Sequence, residues 1–128
     1  MVAGLRLHWH TSVREIDPQA WDALLAHVPG GRPFLMHEWL LALETTGCAA
    51  PETGWQTMFL ALYDAADRLL AACPAYLKSH SYGEYVFDWA WANAHDQALA
   101  ATGRRYFPKL LSASPFSPIP GQRLLVHP

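Results

Sequence analysis

Cysteine is scarce in this chain. Cys48 and Cys73 are far apart and outside any CxxC spacing. A structural zinc site needs about four ligands, so the pair does not make one. The two read as buried or free thiols of a reducing compartment. Long apolar runs are missing as well. Nothing approaches the roughly 20 residues of a membrane-spanning helix, and the opening MVAGLRLHWH has no apolar core of signal-peptide length. The expectation is a cytoplasmic protein with no membrane span. Charged residues make up only 16%, net charge is −2, and no Arg/Lys run is interleaved with aromatics, so DNA or RNA binding has no support. There is no GxSxG, no Walker-type phosphate loop and no GxGxxG, and His37-Glu38 lacks the second His of an HExxH motif. Internal repeats and low-complexity tracts are absent too.

What is present is apolar. Hydrophobic residues make up 52% of 128, enough for one domain with a core that needs no staples. So high a share implies surface that something else covers, either a further half of the protein or a partner. Charge is unevenly placed. Through Asp96 there are five basic and eleven acidic residues; after it come Arg104, Arg105, Lys109 and Arg123 with no acid. This basic end either faces an anionic group or pairs with the acidic body.

The pattern predicts the order β-α-α-β-β-α-β-β. Leu5 to Val13 alternates as a half-buried strand, with Leu5, Leu7 and Trp9 on one face and Arg6, His8 and His10 on the other. Asp17-Pro18 is an N-cap followed by proline at the first helical position, and Ala20, Trp21, Leu24, Leu25 and Val28 form the apolar helix face. A second helix is expected from about Met36 to Thr46, with Trp39, Leu40 and Leu43 inward and Gly47 as terminator. Trp55 to Tyr63 and Leu69 to Leu77 read as a β-hairpin across a polar break, and Pro74 implies an edge, a bulge or an early strand end. Strands are expected at Arg105 to Ser114 and Gln122 to Val126, separated by the rigid loop PFSPIPG.

The segment LKSHSYGEYVFDWAW, residues 77–91, carries the most chemistry. Tyr85, Phe87, Trp89 and Trp91 alternate as on a strand. Ser81 and Glu84, however, have the spacing of a capping box, and an Ala-rich stretch ending at Gly103 follows. The prediction is a helix from Gly83 to about Ala101, with Tyr85, Val86, Trp89, Ala92 and Ala100 on its core face. On that helix Glu84, Asp88, Trp91 and His95 share one stripe. A strand-to-helix junction presents backbone N–H groups to an anion. Glu84, Asp88 or His80 is therefore a candidate general base for an amine. Lys78 or Lys109 is a candidate for steadying a developing oxyanion or a phosphate. The bland reading has Glu84 only capping the helix, Asp88 pairing with Arg104 or Arg105, and Tyr82 packing. His8 and His10 lie on one face of a strand with no carboxylate at a suitable spacing, so no metal site is expected there.

LKSHSYGEYVFDWAW, GRRYFPKLL and SPFSPIPGQRLL together resemble a bacterial family of FemAB-like peptidoglycan biosynthesis proteins, which is grouped with the GNAT acyltransferases. The resemblance implies a partial GNAT-like α/β (α+β) fold, with a mixed, mostly antiparallel sheet flanked by helices. It also implies that residues 1–128 are a truncated N-terminal half whose partners are a second GNAT-like half and an amine-bearing small molecule or peptidoglycan precursor. The family's reaction is acyl or aminoacyl transfer, with acetyl-CoA or aminoacyl-tRNA as donor. No Gly-rich donor-binding loop follows a strand here, so no cofactor is expected on these residues and they are expected to be inactive alone. The expected catalytic residues are Glu84, Asp88 and His80. Lys78, Ser81, Tyr82, Trp91, Tyr106, Lys109 and Arg123 are the expected substrate-binding set. The rival readings are a non-catalytic module binding a cell-wall peptide or amine, and an interaction half that docks on another domain.

Overall fold

The computed structural model describes residues 4–128. Among them are three α-helices and two antiparallel sheets, a mixed α+β architecture. In chain order the elements are β1 (Arg6–His10), α1 (Pro18–Leu25), α2 (His37–Thr45), β2 (Trp55–Thr57), β3 (Phe59–Tyr63), β4 (Leu69–Cys73), β5 (Ala75–Lys78), α3 (Trp89–Ala98), β6 (Lys109–Ser112) and β7 (Leu125–Val126). One sheet has the order β1-β3-β4-β7 and the other β2-β5-β6.

The expected hairpin is there, but both of its arms break. Pro74 has no N–H to give to a ladder, and β4 ends just before it while β5 begins just after. Opposite, Met58 separates β2 from β3, and its N–H donates to the Ala75 carbonyl at 2.9 Å. A single long hairpin is thereby split between two sheets. The tip closes where the Asp64 carboxylate accepts from the Ala66 and Arg68 N–H groups at 2.8 and 2.9 Å, an Asx-type turn.

The core lies between α1, α2 and the larger sheet. Asp17 caps α1 as expected, its carboxylate accepting from Ala20 N at 2.7 Å. Trp21, Leu24 and Leu25 are buried from that helix, each burial stabilising by roughly 1.5–3 kcal/mol. Trp21 stacks on Phe59 and donates its indole N–H to Leu35 O at 2.8 Å. Met36 cannot cap α2, so Asp22 of α1 does it instead, accepting from His37 N at 2.9 Å. Gly47 ends that helix with φ +77°, a conformation glycine adopts without a Cβ penalty.

Three expectations fail. β1 exists, but Leu5, Leu7 and Trp9 are exposed while His10 is buried, because β1 is an edge strand with no helix over that face. The helix expected from Gly83 starts only at Trp89. Ser81 and Glu84 form an isolated turn instead, Glu84 N donating to Ser81 O at 3.2 Å. Tyr85 (82% exposed) and Val86 (69%) therefore lie outside the core, and of the expected core face only Ala92 is buried. The last two strands are shorter than expected, beginning at Lys109 and at Leu125.

Candidate functional site

Strand register builds the floor of the site. In the smaller sheet Trp55 pairs with Lys78 and Lys78 pairs with Lys109, so an indole and two ammonium groups form one row across three strands. Directly opposed like charges destabilise a sheet, so each lysine needs its own compensation. Lys78 is fully buried. Its Nζ lies 3.8 Å from the centre of the Trp55 ring and donates to Tyr82 O at 2.7 Å. A cation over an indole face is favourable, yet burial still depresses this amine to about 8, with Glu84 opposing the shift and Lys109 adding to it.

Lys109 is compensated differently. Its ammonium bonds to Glu84 Oε2 at 2.7 Å and to Asp88 Oδ2. Burial by itself would lower the Lys109 amine, but the bonds to Asp88 and Glu84 outweigh it and raise it. Asp88 Oδ2 also accepts from Tyr106 Oη at 2.8 Å. The Asp88 carboxyl is held below its usual value chiefly by the Lys109 hydrogen bond, against burial and with help from Tyr106. The same contact raises the Tyr106 phenol.

Glu84 differs from Asp88 in one respect. Its side chain is 8% exposed, and its second oxygen, Oε1, is buried without a hydrogen-bond partner. A buried acceptor left without a donor costs about 1–3 kcal/mol. Glu84, Asp88 and Lys109 line a cleft of about 560 Å³. Trp55, Leu111 and Phe116 supply apolar wall, and Arg123 lines the cleft as well. Arg123 donates to the carbonyls of Ile119 and Gly121 at 2.6 and 3.1 Å. Among the described residues it makes no ion pair.

The loop 79–88 is held from beneath. Ser81 is fully buried and accepts from Asp88 N at 3.2 Å. Gly83 has φ +81°, and a Cβ there would meet Phe116 Cε1 at 2.6 Å and Trp55 Nε1 at 2.9 Å. Phe116 itself has φ +59°, which is unfavourable for a bulky residue and concentrates at functional sites.

Of the expected site residues, Glu84, Asp88, Tyr106 and Lys109 form one connected cluster, and Arg123 lines the same cleft. Lys78 and Ser81 lie under the loop, with their polar atoms spent on Tyr82 and Asp88. His80 is turned towards Gly54, and its Nδ1 accepts from Tyr82 N at 3.1 Å. It is not part of the cleft wall. Tyr82 is exposed and packs its ring on His80 and Trp89. Trp91 is 74% exposed on α3 and is also outside the cleft wall. The shared helical stripe of Glu84, Asp88, Trp91 and His95 does not exist, because the two acids precede the helix; Lys109 joins the acids instead. Trp55, Leu111 and Ser114 line the cleft unforeseen. They come from β2, β6 and the segment after β6; strand register places the first two, and a hydrogen bond to Phe34 O holds Ser114.

A family model described as FemAB-like, peptidoglycan biosynthesis/recognition, matches residues 12–128. No curated protein matches the chain. No solved structure matches it. No helix of the described residues is long and apolar enough to cross a membrane.

Proposed function

The chain belongs to the FemAB-like family of peptidoglycan biosynthesis and recognition, and on that premise we propose that its cleft receives the amine of a peptidoglycan precursor for acyl or aminoacyl transfer. The observation that carries this reading is that Glu84, a residue of the cleft wall, holds in Oε1 a buried acceptor with no donor. An amine N–H supplies the missing donor. Within the cluster Glu84 is the general base. Asp88 is a positioning residue, because Lys109 and Tyr106 already occupy its Oδ2. In the transfer the amine nitrogen bonds to the donor's acyl carbon, and the C–S bond of a thioester or the C–O bond of an ester breaks. Glu84 takes the amine proton, the sulfur or oxygen leaves with the electron pair as thiolate or alkoxide, and Glu84 then hands that proton on to it, which restores the carboxylate. Arg123, without an acidic partner, faces an anionic group of either substrate. Lys78 takes no part in binding and steadies the loop through Tyr82.

A second reading is recognition without turnover. It rests on Lys109, whose single ammonium already pairs with both acids before any ligand arrives.

The experiment is Glu84→Gln in the intact protein. Transfer to amine acceptors is measured with acetyl-CoA and with aminoacyl-tRNA, and muropeptide binding is followed by calorimetry. The first reading expects transfer to fall by about 10²–10⁴-fold with binding changed far less. Muropeptide binding without turnover in the wild type supports the second reading. Unaltered transfer in the variant removes Glu84 as the base.

A further inference from the structure

A second cluster of polar groups lies on the other sheet and shares no residue with the cleft. His8 and His10 sit two apart on edge strand β1, and Glu15 follows in the 3₁₀ turn Val13–Glu15. One ligand atom from each lies within 4.8 Å of the others, and among the described residues these three could hold a metal ion. We propose that His8, His10 and Glu15 form a binding site for a divalent transition-metal ion such as zinc, with one coordination position open to solvent.

Chemistry and local order both support this. Two imidazoles and a carboxylate are a donor set suited to zinc and its neighbours rather than to calcium or magnesium. His10 is already oriented. Its Nδ1 faces Glu15 Oε2 at 2.9 Å, and its Nε2 faces Tyr63 Oη at 2.8 Å. With Nδ1 on the metal, Nε2 keeps its proton and donates to Tyr63, an outer partner of the kind that fixes the tautomer of a ligating histidine. Glu15 is held as well, its Oε1 accepting from Thr11 Oγ1 at 3.2 Å.

The turn is anchored to α2. Ser12 Oγ and Val13 N both donate to Glu44, at 2.5 and 2.9 Å. His8 and Glu15 are exposed, so an ion reaches the site from solvent. Bonds of about 2.0–2.2 Å require a rotation of these two exposed side chains, while buried His10 stays in place. Arg6, on the same strand, pairs with Asp67 at 2.6 Å.

The test is calorimetric titration of the tag-free full chain with zinc chloride, alongside His8→Ala, Glu15→Gln, Tyr63→Phe and, as a distant control, His27→Ala. Both ligand substitutions are at exposed positions, and circular dichroism checks that the fold is kept. The expected result is one zinc per chain, affinity at least tenfold weaker in His8→Ala and in Glu15→Gln, about 10–100-fold weaker in Tyr63→Phe, and unchanged in His27→Ala. Cobalt(II) absorption reports the same site through its ligand field and is expected to change in His8→Ala. No zinc uptake by the wild type, or wild-type affinity in His8→Ala or in Glu15→Gln, overturns the proposal.

Discussion

Lys78 and Trp55 are cross-strand partners, and the register puts the lysine ammonium 3.8 Å from the centre of the indole ring with no exposed surface. The pair sits beneath the loop that carries Glu84 and Asp88. Its consequence is measurable in solution, because burial holds the Lys78 amine at about 8 against its usual 10.5.

Below pH 8 the amine is protonated in both the folded and the unfolded chain, and the cost of burying it is constant. Between pH 8 and 10.5 the unfolded chain binds more protons than the folded one, so this residue's contribution to stability rises with pH. Lys78→Met, which fills a buried position without charge, is expected to match or exceed the wild type in stability near neutral pH. Its advantage should shrink by about 3 kcal/mol across that window. Denaturant unfolding at a series of pH values checks this. A stability difference that does not vary with pH would show that Lys78 is not held in the depressed state.

Asp88 is the hinge of the polar cluster, accepting from both Lys109 and Tyr106. Removing the carboxylate is expected to cost about 1.5–3 kcal/mol, as for hydrogen bonds to charged groups. Tyr106→Phe removes one donor and should cost less than Asp88→Asn. The Asp88 carboxyl is depressed below its ordinary 3.8, so its contribution is complete above that value and is lost as pH falls through the lower folded one. Urea unfolding of wild type and Asp88→Asn should therefore show a gap that narrows in acid. A constant gap down to the lowest accessible pH would contradict the assignment.

Gly83 and Gly103 separate strain from contact. Both have positive φ, +81° and +69°, but a Cβ on Gly103 meets nothing within 4 Å, while one on Gly83 runs into Phe116 and Trp55. Gly103→Ala should cost only the backbone term of about 1–2 kcal/mol. Gly83→Ala should cost a further 1–3 kcal/mol or so from overpacking and should perturb Trp55. Tryptophan fluorescence and thermal unfolding of the two variants read the difference directly. Equal losses with an unchanged spectrum would mean that the cleft wall yields freely.

Much of the fold was legible because local chemistry decides it. Asp17-Pro18 specifies a helix start, Pro74 a break in a strand and Gly47 a helix end, whatever surrounds them. The failures have a common cause. Leu7 and Trp9 alternate correctly for a strand, but alternation does not say which face is covered, and an edge strand left one apolar face bare. Ser81 and Glu84 have capping-box spacing, yet Ser81 Oγ is taken by Asp88 N, so the helix waits until Trp89. The acids of the cluster were identified from a stripe that does not form. They meet because both reach Lys109, 25 and 21 positions further along the chain.

By itself the sequence determined the kinds of element, their order, the hairpin and the acidic and basic groups available for chemistry, since these follow from backbone propensity, turn residues and side-chain pKa. Only the tertiary structure decided that Trp55, Lys78 and Lys109 stand in one row, that Asp88 Oδ2 takes both Lys109 and Tyr106 while Glu84 Oε1 is buried without a partner, and that Glu15 closes on His10. Cross-strand register and loop closure are long-range events, and a shift of one residue turns every side chain of a strand to the opposite face.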